Sequence, residues 1–199
     1  IYLQFDGLND KIYKHLRGRK LIDVKKKAIS LLTKHKIPIT LVSTIEAGVN
    51  DQEIGKIVKF AFDTDYIRGI NFQPVAFFGR LPNIDTRHRI TLSGILKNIE
   101  SQTKGAIGMD DFVPLPCDVD RAAIGFFTKK HGKWRSVAKK IDVKKMLPKI
   151  KNTFAFDLAD YACSGGGCCN SAPKTEEHFQ YVNDNFFRIS VKSFIDVYN

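Results

Sequence analysis

Two segments of the chain carry the same strand pattern, in which polar and apolar side chains alternate. In the opening segment, Gln4 and Asp6 share one face of a predicted strand, and Leu3 and Phe5 share the other. Residues 69–75 repeat the pattern with different side chains. Strands with polar residues inside and apolar residues outside are typical of a β/α barrel, which holds a ligand in its interior and has helices packed on its outer side. The pattern therefore indicates one part of a cofactor-binding enzyme.

Predicted strands and predicted helices alternate over the first 75 residues. We expect helices over 9–16, 22–35 and onwards from the turn at 48–51, and strands over 1–7, 39–44 and 67–73. This order predicts right-handed parallel βαβ units. No glycine-rich fingerprint follows a strand, which argues against a dinucleotide-binding sheet. We therefore predict an α/β fold, a fragment of a parallel barrel with its chemistry at the carboxyl ends of the strands.

The second half of the chain has a different character. A helix is expected over 91–102, a proline-bracketed extended segment over 110–117, a hairpin over 123–138 and helices over 142–151 and 175–184. The residues from Cys163 to Pro173 are expected to form a loop. This half is therefore predicted as an α+β region.

The chain is basic, with a formal net charge of +11. Such a charge would suit nucleic acid, anionic lipid or an acidic cofactor. The lysines are spread over predicted helical faces, as in 23–27 and 139–145, so we interpret the charge as solvated surface. No RNA-recognition, zinc-finger or helix-turn-helix signature is present, and a nucleic-acid partner is not favoured. The sequence contains no apolar run of about 18 residues, so no transmembrane segment is predicted.

Most of the cysteines fall close together, beside three consecutive glycines. The cysteines are Cys117, Cys163, Cys168 and Cys169. Thiolates bind iron–sulfur clusters and zinc, and glycines let the backbone wrap closely around sulfur ligands. The crowding favours a metal centre over a dispersed disulfide framework. The spacing does not distinguish iron from zinc, and disulfide pairing stays open.

Polar side chains at the predicted strand ends form a second candidate site. Its members are Gln4, Asp6, Thr44 and Gln73. They suit a ribose, an adenine or an amino acid group, and equally a hydrogen-bond network that fills a barrel interior. The basic run 16–20 would suit a phosphate or a carboxylate, but it is more typical of a solvated helix end.

Further charged and titratable side chains give weaker signals. Arg68 and Arg80 lie close to the third predicted strand, where they suit either an acidic ligand or surface salt bridges. The five histidines are scattered without metal-ligand spacing, so no catalytic histidine is predicted.

Several of these segments resemble one enzyme family in their order and spacing. The segments are residues 2–7 with 16–18, 44–55, 69–75 and 114–117. The first three resemble the fourth, fifth and sixth strands of radical SAM enzymes. With the fourth segment, they most resemble the branch that contains archaeal tetraether lipid synthase and the pterin-methylating proteins.

The resemblance implies that residues 1–108 are the C-terminal half of a radical SAM partial TIM-like barrel. Residues 109–199 would then be an auxiliary Cys-containing region. In the family, a [4Fe–4S] cluster held by a Cys-x-x-x-Cys-x-x-Cys loop binds S-adenosylmethionine, and reduction yields a 5′-deoxyadenosyl radical that attacks C–H bonds. The sequence lacks this loop, which the family places upstream of Ile1, so the chain alone is expected to be inactive.

The resemblance also implies particular ligands and partners. The positions that match the family's S-adenosylmethionine contacts are Gln4, Asp6, Thr44, Gln73 and Val75. The four cysteines become candidate ligands of an auxiliary iron–sulfur cluster. The implied reaction is methylation or carbon–carbon bond formation on a lipid or pterin-like substrate, with a ferredoxin- or flavodoxin-like electron donor. A cytoplasmic location follows, peripheral to a membrane if the substrate is a lipid.

Two other classes of function stay open from the residues alone. The first is a small Cys-ligated zinc or redox module that contains βα units, which would be purified colourless and loaded with zinc. The second is a basic nucleic-acid-binding domain, whose salt-dependent retention on DNA would depend on Arg17 and Arg19.

Overall fold

The computed structural model of the chain describes residues 1–77, 88–115, 118–138 and 185–194. The strands are β1 (Tyr2–Gln4), β2 (Ile39–Ile45), β3 (Ile67–Pro74), β4 (Phe112–Leu115), β5 (Asp118–Lys130), β6 (Lys133–Ser136) and β7 (Phe186–Lys192). The α-helices are α1 (Asp10–Arg17), α2 (Ile22–Lys34), α3 (Ile54–Asp63) and α4 (Leu92–Gln102). Short 3-10 helices cover Asp51–Glu53 and Met109–Asp111.

The described strands form one mixed sheet with the order β1-β2-β3-β7-β5-β4, and β6 also pairs with β5. β1, β2, β3 and β7 run parallel to one another. β5 runs antiparallel to β7, β4 and β6. The predicted parallel βαβ units are therefore confirmed, and the α/β class with them. Closure of these strands into a barrel stays a prediction.

Most local predictions match the structure, but the first strand spans Tyr2–Gln4 rather than 1–7, and Asp110 and Asp111 lie in a 3-10 helix rather than in an extended segment. The predicted helices 9–16, 22–35 and 91–102 and the predicted strands 39–44 and 67–73 appear within about one residue of their expected bounds. The predicted hairpin is β5 and β6, joined at His131 and Gly132, both of which have positive φ. The predicted helices over 142–151 and 175–184 and the loop from Cys163 lie outside the described residues.

β7 lies between β3 and β5, so both predicted segments of the chain contribute strands to the same sheet. Asn71 pairs with Ser190 in parallel, and Ile124 pairs with Ser190 on the opposite side. The division of the chain at residue 108 stays a prediction.

The two faces of the parallel strands differ in polarity. Phe5, Leu41 and Phe72 are fully buried in the main core with the inner side chains of α3 and α4. The register pairs Thr44 with Gln73, and alternation along the strands turns both away from that core. Helices thus cover the apolar face, as predicted, and the polar residues gather on the other side.

α3 and α4 approach each other closely at Gly55. A Cβ atom at this position would lie 2.6 Å from the Cβ atom of Gln102 and 3.0 Å from its carbonyl oxygen. The Gln102 side chain accepts a hydrogen bond from the Gly55 N–H over 2.8 Å and donates one to the Asp51 carbonyl over 2.7 Å. Because glycine has no side chain, α3 and α4 can approach each other this closely at Gly55.

Replacing Gly55 with alanine is expected to lower the free energy of unfolding by about 2 kcal/mol, because overpacking outweighs the gain in helix propensity. Urea unfolding followed by circular dichroism measures the change. Ser30→Ala, at an exposed position in α2, serves as the control and should shift stability by less than about 0.5 kcal/mol. A Gly55→Ala protein as stable as its parent would contradict the close approach.

Candidate functional site

The predicted strand-end residues gather at the carboxyl edge of the parallel strands. Asp6 follows β1, and its carboxylate accepts a hydrogen bond from the Thr44 N–H of β2 over 2.9 Å. Gln73 of β3 is paired in register with Thr44. The N–H of Val75 donates to the carbonyl of Ile45 over 2.8 Å, which extends the pairing of β2 and β3 past the end of β3.

The Asp6 carboxylate is the centre of this cluster and is fully buried. Its Oδ2 accepts hydrogen bonds from Gln4 Nε2 over 2.6 Å and from Arg17 Nε over 2.9 Å. Its Oδ1 accepts from the Thr44 N–H over 2.9 Å and from Arg17 Nη2 over 3.3 Å. Because an ionised carboxylate offers about four lone-pair sites, these contacts occupy its hydrogen-bonding capacity. Asp6 therefore positions the residues around it.

Arg17 presents a fixed positive charge at the same edge. Its Nη2 also donates to the Thr44 hydroxyl over 2.9 Å. The Arg17 side chain is 33% exposed, and among the described residues its Nη1 makes no hydrogen bond. Arg17 is the last residue of α1, the helix end that favours a cation. Arg17 thus lies at a partly exposed helix end, as predicted, but its guanidinium is also held by a buried carboxylate.

Asn50 is fully buried and links the ends of β1 and β2 through hydrogen bonds. Its Nδ2 donates to the carbonyl oxygens of Asp6 over 2.8 Å and Thr44 over 2.7 Å. Its Oδ1 accepts from the Glu46 N–H over 2.9 Å. One amide side chain thus satisfies three backbone groups where both strands end.

A buried phenol lies behind the carboxylate. Burial raises the pKa of Tyr13 well above its ordinary value, and the nearby negative charge of Asp6 acts in the same direction. Among the described residues, the Tyr13 hydroxyl has no hydrogen-bond partner of ordinary geometry. Tyr13 therefore stays protonated in this buried environment.

Glu46 holds two histidines beside the cluster. Its Oε1 lies 3.1 Å from Nε2 of His15 in α1 and 3.0 Å from Nδ1 of His88. Both imidazoles are about half exposed, whereas the Glu46 side chain is 12% exposed. The Ala47 N–H also donates to the His88 carbonyl over 2.9 Å. These contacts fix the segment before α4 against the same edge.

The structure brings together Gln4, Asp6, Thr44 and, by register, Gln73. Arg68 lies at the opposite end of β3, away from this edge. The remaining candidates lie outside the described residues; they are Arg80, Cys117, Cys163, Cys168 and Cys169.

Sequence reasoning considered a carboxylate or phosphate for the run that contains Arg17, but it did not identify the pairing of Arg17 with Asp6 or the roles of Glu46 and Asn50. The segment 48–51 was predicted only as a turn and helix cap. The short polar residue in such a turn is a signal for a local hydrogen bond, but it does not show that the bonds extend to another strand.

The described residues contain neither a metal-ligand cluster nor a helix that could span a membrane. No group of three or more His, Cys, Asp or Glu side chains there has the arrangement of a metal site. No helix in the same ranges combines the length and the apolar character needed to cross a bilayer.

Comparison with known proteins relates the chain to a methyltransferase. The chain is similar to the 7,8-dihydro-6-hydroxymethylpterin dimethyltransferase of Methanocaldococcus jannaschii, with 44% identity over 119 residues. The match covers 58% of this chain and 24% of the relative, so the chain spans about a quarter of that protein. No family model matches the chain. The similarity supports the pterin-methylating branch that the sequence motifs indicated.

Proposed function

We propose that the chain is part of a radical SAM methyltransferase that acts on a pterin-like substrate, and that its carboxyl strand edge binds S-adenosylmethionine. The 44% identity to a pterin dimethyltransferase supports the reaction and substrate class. The observation that carries the proposed binding site is the Arg17 guanidinium, which Asp6 and Thr44 hold at this edge while its Nη1 makes no hydrogen bond to the described part of the chain.

The side chains at this edge fit the chemistry of S-adenosylmethionine. A guanidinium binds a carboxylate through charge-assisted hydrogen bonds, so Arg17 would take the amino acid carboxylate. The Thr44 hydroxyl and the Gln73 amide both donate and accept, as ribose hydroxyls and adenine nitrogens require. Asp6 and Gln4 would act as positioning residues, because their contact with each other and the Asp6–Arg17 pair fix the cation.

Bound S-adenosylmethionine would supply the hydrogen-abstracting chemistry of the family. The residues of this chain would bind the cofactor and orient it. Auxiliary cluster ligation by the four cysteines and reduction by a ferredoxin- or flavodoxin-like donor belong to the same proposal.

Replacing Arg17 with glutamine is expected to weaken S-adenosylmethionine binding about tenfold, because a charge-assisted contact with the carboxylate is lost. Equilibrium dialysis with radiolabelled S-adenosylmethionine measures the affinity. Decarboxylated S-adenosylmethionine should bind the parent and the Arg17→Gln variant equally well, since it lacks the group that Arg17 recognises.

Arg19→Gln is the matched control, because Arg19 is exposed two positions further along the same run. This variant should bind both ligands as the parent does. Equal losses of both ligands in Arg17→Gln would show that Arg17 acts only through the fold. Absence of saturable binding to the parent chain would contradict the proposal itself.

A further inference from the structure

Glu46 directly follows β2, at the carboxyl edge that holds the candidate S-adenosylmethionine site. It lies two residues beyond Thr44, so the Cα atoms of these two residues are at most about 7 Å apart. The Thr44 hydroxyl in turn accepts a hydrogen bond from the Arg17 guanidinium. Glu46 is therefore a neighbour of the candidate cofactor site without being one of its members.

The backbone of Glu46 is fixed by the turn that follows β2. Its N–H donates to Oδ1 of the buried Asn50 over 2.9 Å. Its carbonyl accepts from the N–H groups of Val49 over 3.2 Å and Asn50 over 3.3 Å. Because both polar backbone groups of Glu46 are bonded, its side chain starts from a fixed point. A ligand that binds this side chain would therefore lose little free energy to ordering it.

The two oxygens of the Glu46 carboxylate have different surroundings. Oε1 lies 3.1 Å from His15 Nε2 and 3.0 Å from His88 Nδ1. Oε2 accepts no hydrogen bond from the residues that the structure describes. The side chain is 12% exposed, so water has limited access to it. A largely buried carboxylate oxygen without a donor costs free energy, which a ligand with N–H groups would recover.

A pterin carries the donors that this oxygen lacks. Its pyrimidine ring presents the N3–H and the 2-amino group side by side and pointing in the same direction, as the N–H groups of a guanidinium do. A carboxylate oxygen has two lone pairs and can accept from both donors. Hydrogen bonds to an ionised acceptor are about twice as strong as those between neutral groups. The donor edge of a pterin therefore complements Oε2 of Glu46.

We propose that Glu46 recognises the N3–H and 2-amino groups of a pterin substrate through Oε2, and that His15 and His88 are positioning residues that hold Oε1. This inference rests on the proposed function, because the pterin class comes from the similarity to the dimethyltransferase. The recognised edge of the ring would lie at Glu46, and the rest of the ring would extend towards the cofactor site at Thr44.

A pair of ligands that differ at one group tests this role. The ligands are 6-hydroxymethylpterin and 6-hydroxymethyllumazine, in which a carbonyl oxygen replaces the 2-amino group. The parent chain should bind the pterin at least about tenfold more tightly, because the lumazine oxygen would face a carboxylate oxygen. Equilibrium dialysis, with the ultraviolet absorbance of each ligand as the readout, measures both affinities.

Glu46→Gln should weaken binding of the pterin about tenfold, because the charge-assisted contact is lost. Binding of the lumazine should not fall, since a glutamine amide can donate to its 2-carbonyl oxygen. Asp63→Asn is the matched control, because it also removes one negative charge, at an exposed position at the end of α3. This variant should bind both ligands as the parent does.

Binding of S-adenosylmethionine separates this inference from the proposed function. Glu46→Gln should bind the cofactor as the parent does, and a loss of that binding would overturn the inference. Equal losses of both ring ligands in Glu46→Gln, equal affinities of the parent for them, or absence of pterin binding would also overturn it. A pterin preference that depends on Glu46 in a chain that does not bind S-adenosylmethionine would contradict only the proposed cofactor site. Matching far-ultraviolet circular dichroism spectra confirm that the variants keep the fold of the parent.

Discussion

Replacing Asp6 with asparagine is expected to lower the free energy of unfolding by about 3 kcal/mol, the low end for breaking a buried ion pair whose partner is left without its counter-charge. Asp6 is fully buried and Arg17 is 33% exposed, so water relieves part of the cost. The asparagine amide would also turn N–H groups towards a cluster in which Gln4, Arg17 and the Thr44 backbone already donate. The substitution therefore replaces a hydrogen-bond acceptor with a donor that faces other donors.

The same variant is expected to bind S-adenosylmethionine at least about tenfold more weakly. The Arg17 guanidinium, which would bind the carboxylate of S-adenosylmethionine, loses the Asp6 contact that fixes its position. Urea unfolding and equilibrium dialysis measure the two effects. The matched control is Asp63→Asn, in which the carboxylate pairs with Lys59 and is 61% exposed. That variant should change stability by less than about 1 kcal/mol, as is usual for surface ion pairs. Unchanged affinity in Asp6→Asn would contradict the positioning role.

Replacing Asn50 with alanine is expected to reduce the free energy of unfolding by about 3 kcal/mol, at about 1 kcal/mol for each of its three hydrogen bonds. The substitution leaves the carbonyls of Asp6 and Thr44 and the N–H of Glu46 without their side-chain partner in a dry environment. Chemical denaturation followed by circular dichroism measures the loss.

Two further variants show whether the amide itself is required. Asn50→Asp should be at least as damaging as alanine, because a carboxylate cannot donate to two carbonyl oxygens. Gln52→Ala, which removes an exposed amide nearby, should change stability by less than about 0.5 kcal/mol. If Asn50→Asp kept the parent's stability, the donor role of Asn50 would be excluded.

Most of the secondary structure of the first 77 residues followed from the sequence because its signals are local. Alternation with period two predicted β3, a run of strand-forming residues predicted β2, and spacing close to 3.6 residues predicted α3. Parallel order then implied that Asp6, Thr44 and Gln73 would share an edge. These inferences required no knowledge of which distant residues touch.

The contacts that complete the site could not be predicted in this way. Asn50 bonds to the carbonyl of Asp6 across 44 positions, and Arg17 bonds to Thr44 across 27 positions. A polar residue in a turn looks the same in sequence whether its partner is the next residue or another strand. For the same reason, the place of β7 between β3 and β5 depends on register and packing that no short pattern specifies.

β7 gives the sheet a particular order of assembly during synthesis. Asn71 and Ser190 meet across 119 positions, so β3 is made long before its neighbour. At a translation rate of about 5–20 residues per second, on the order of 6 to 24 s separate the two. During that interval the edge of β3 that will pair with β7 has unpaired backbone N–H and C=O groups, with which strands of other nascent chains could pair. Chaperone capture on the ribosome would protect it until β7 emerges.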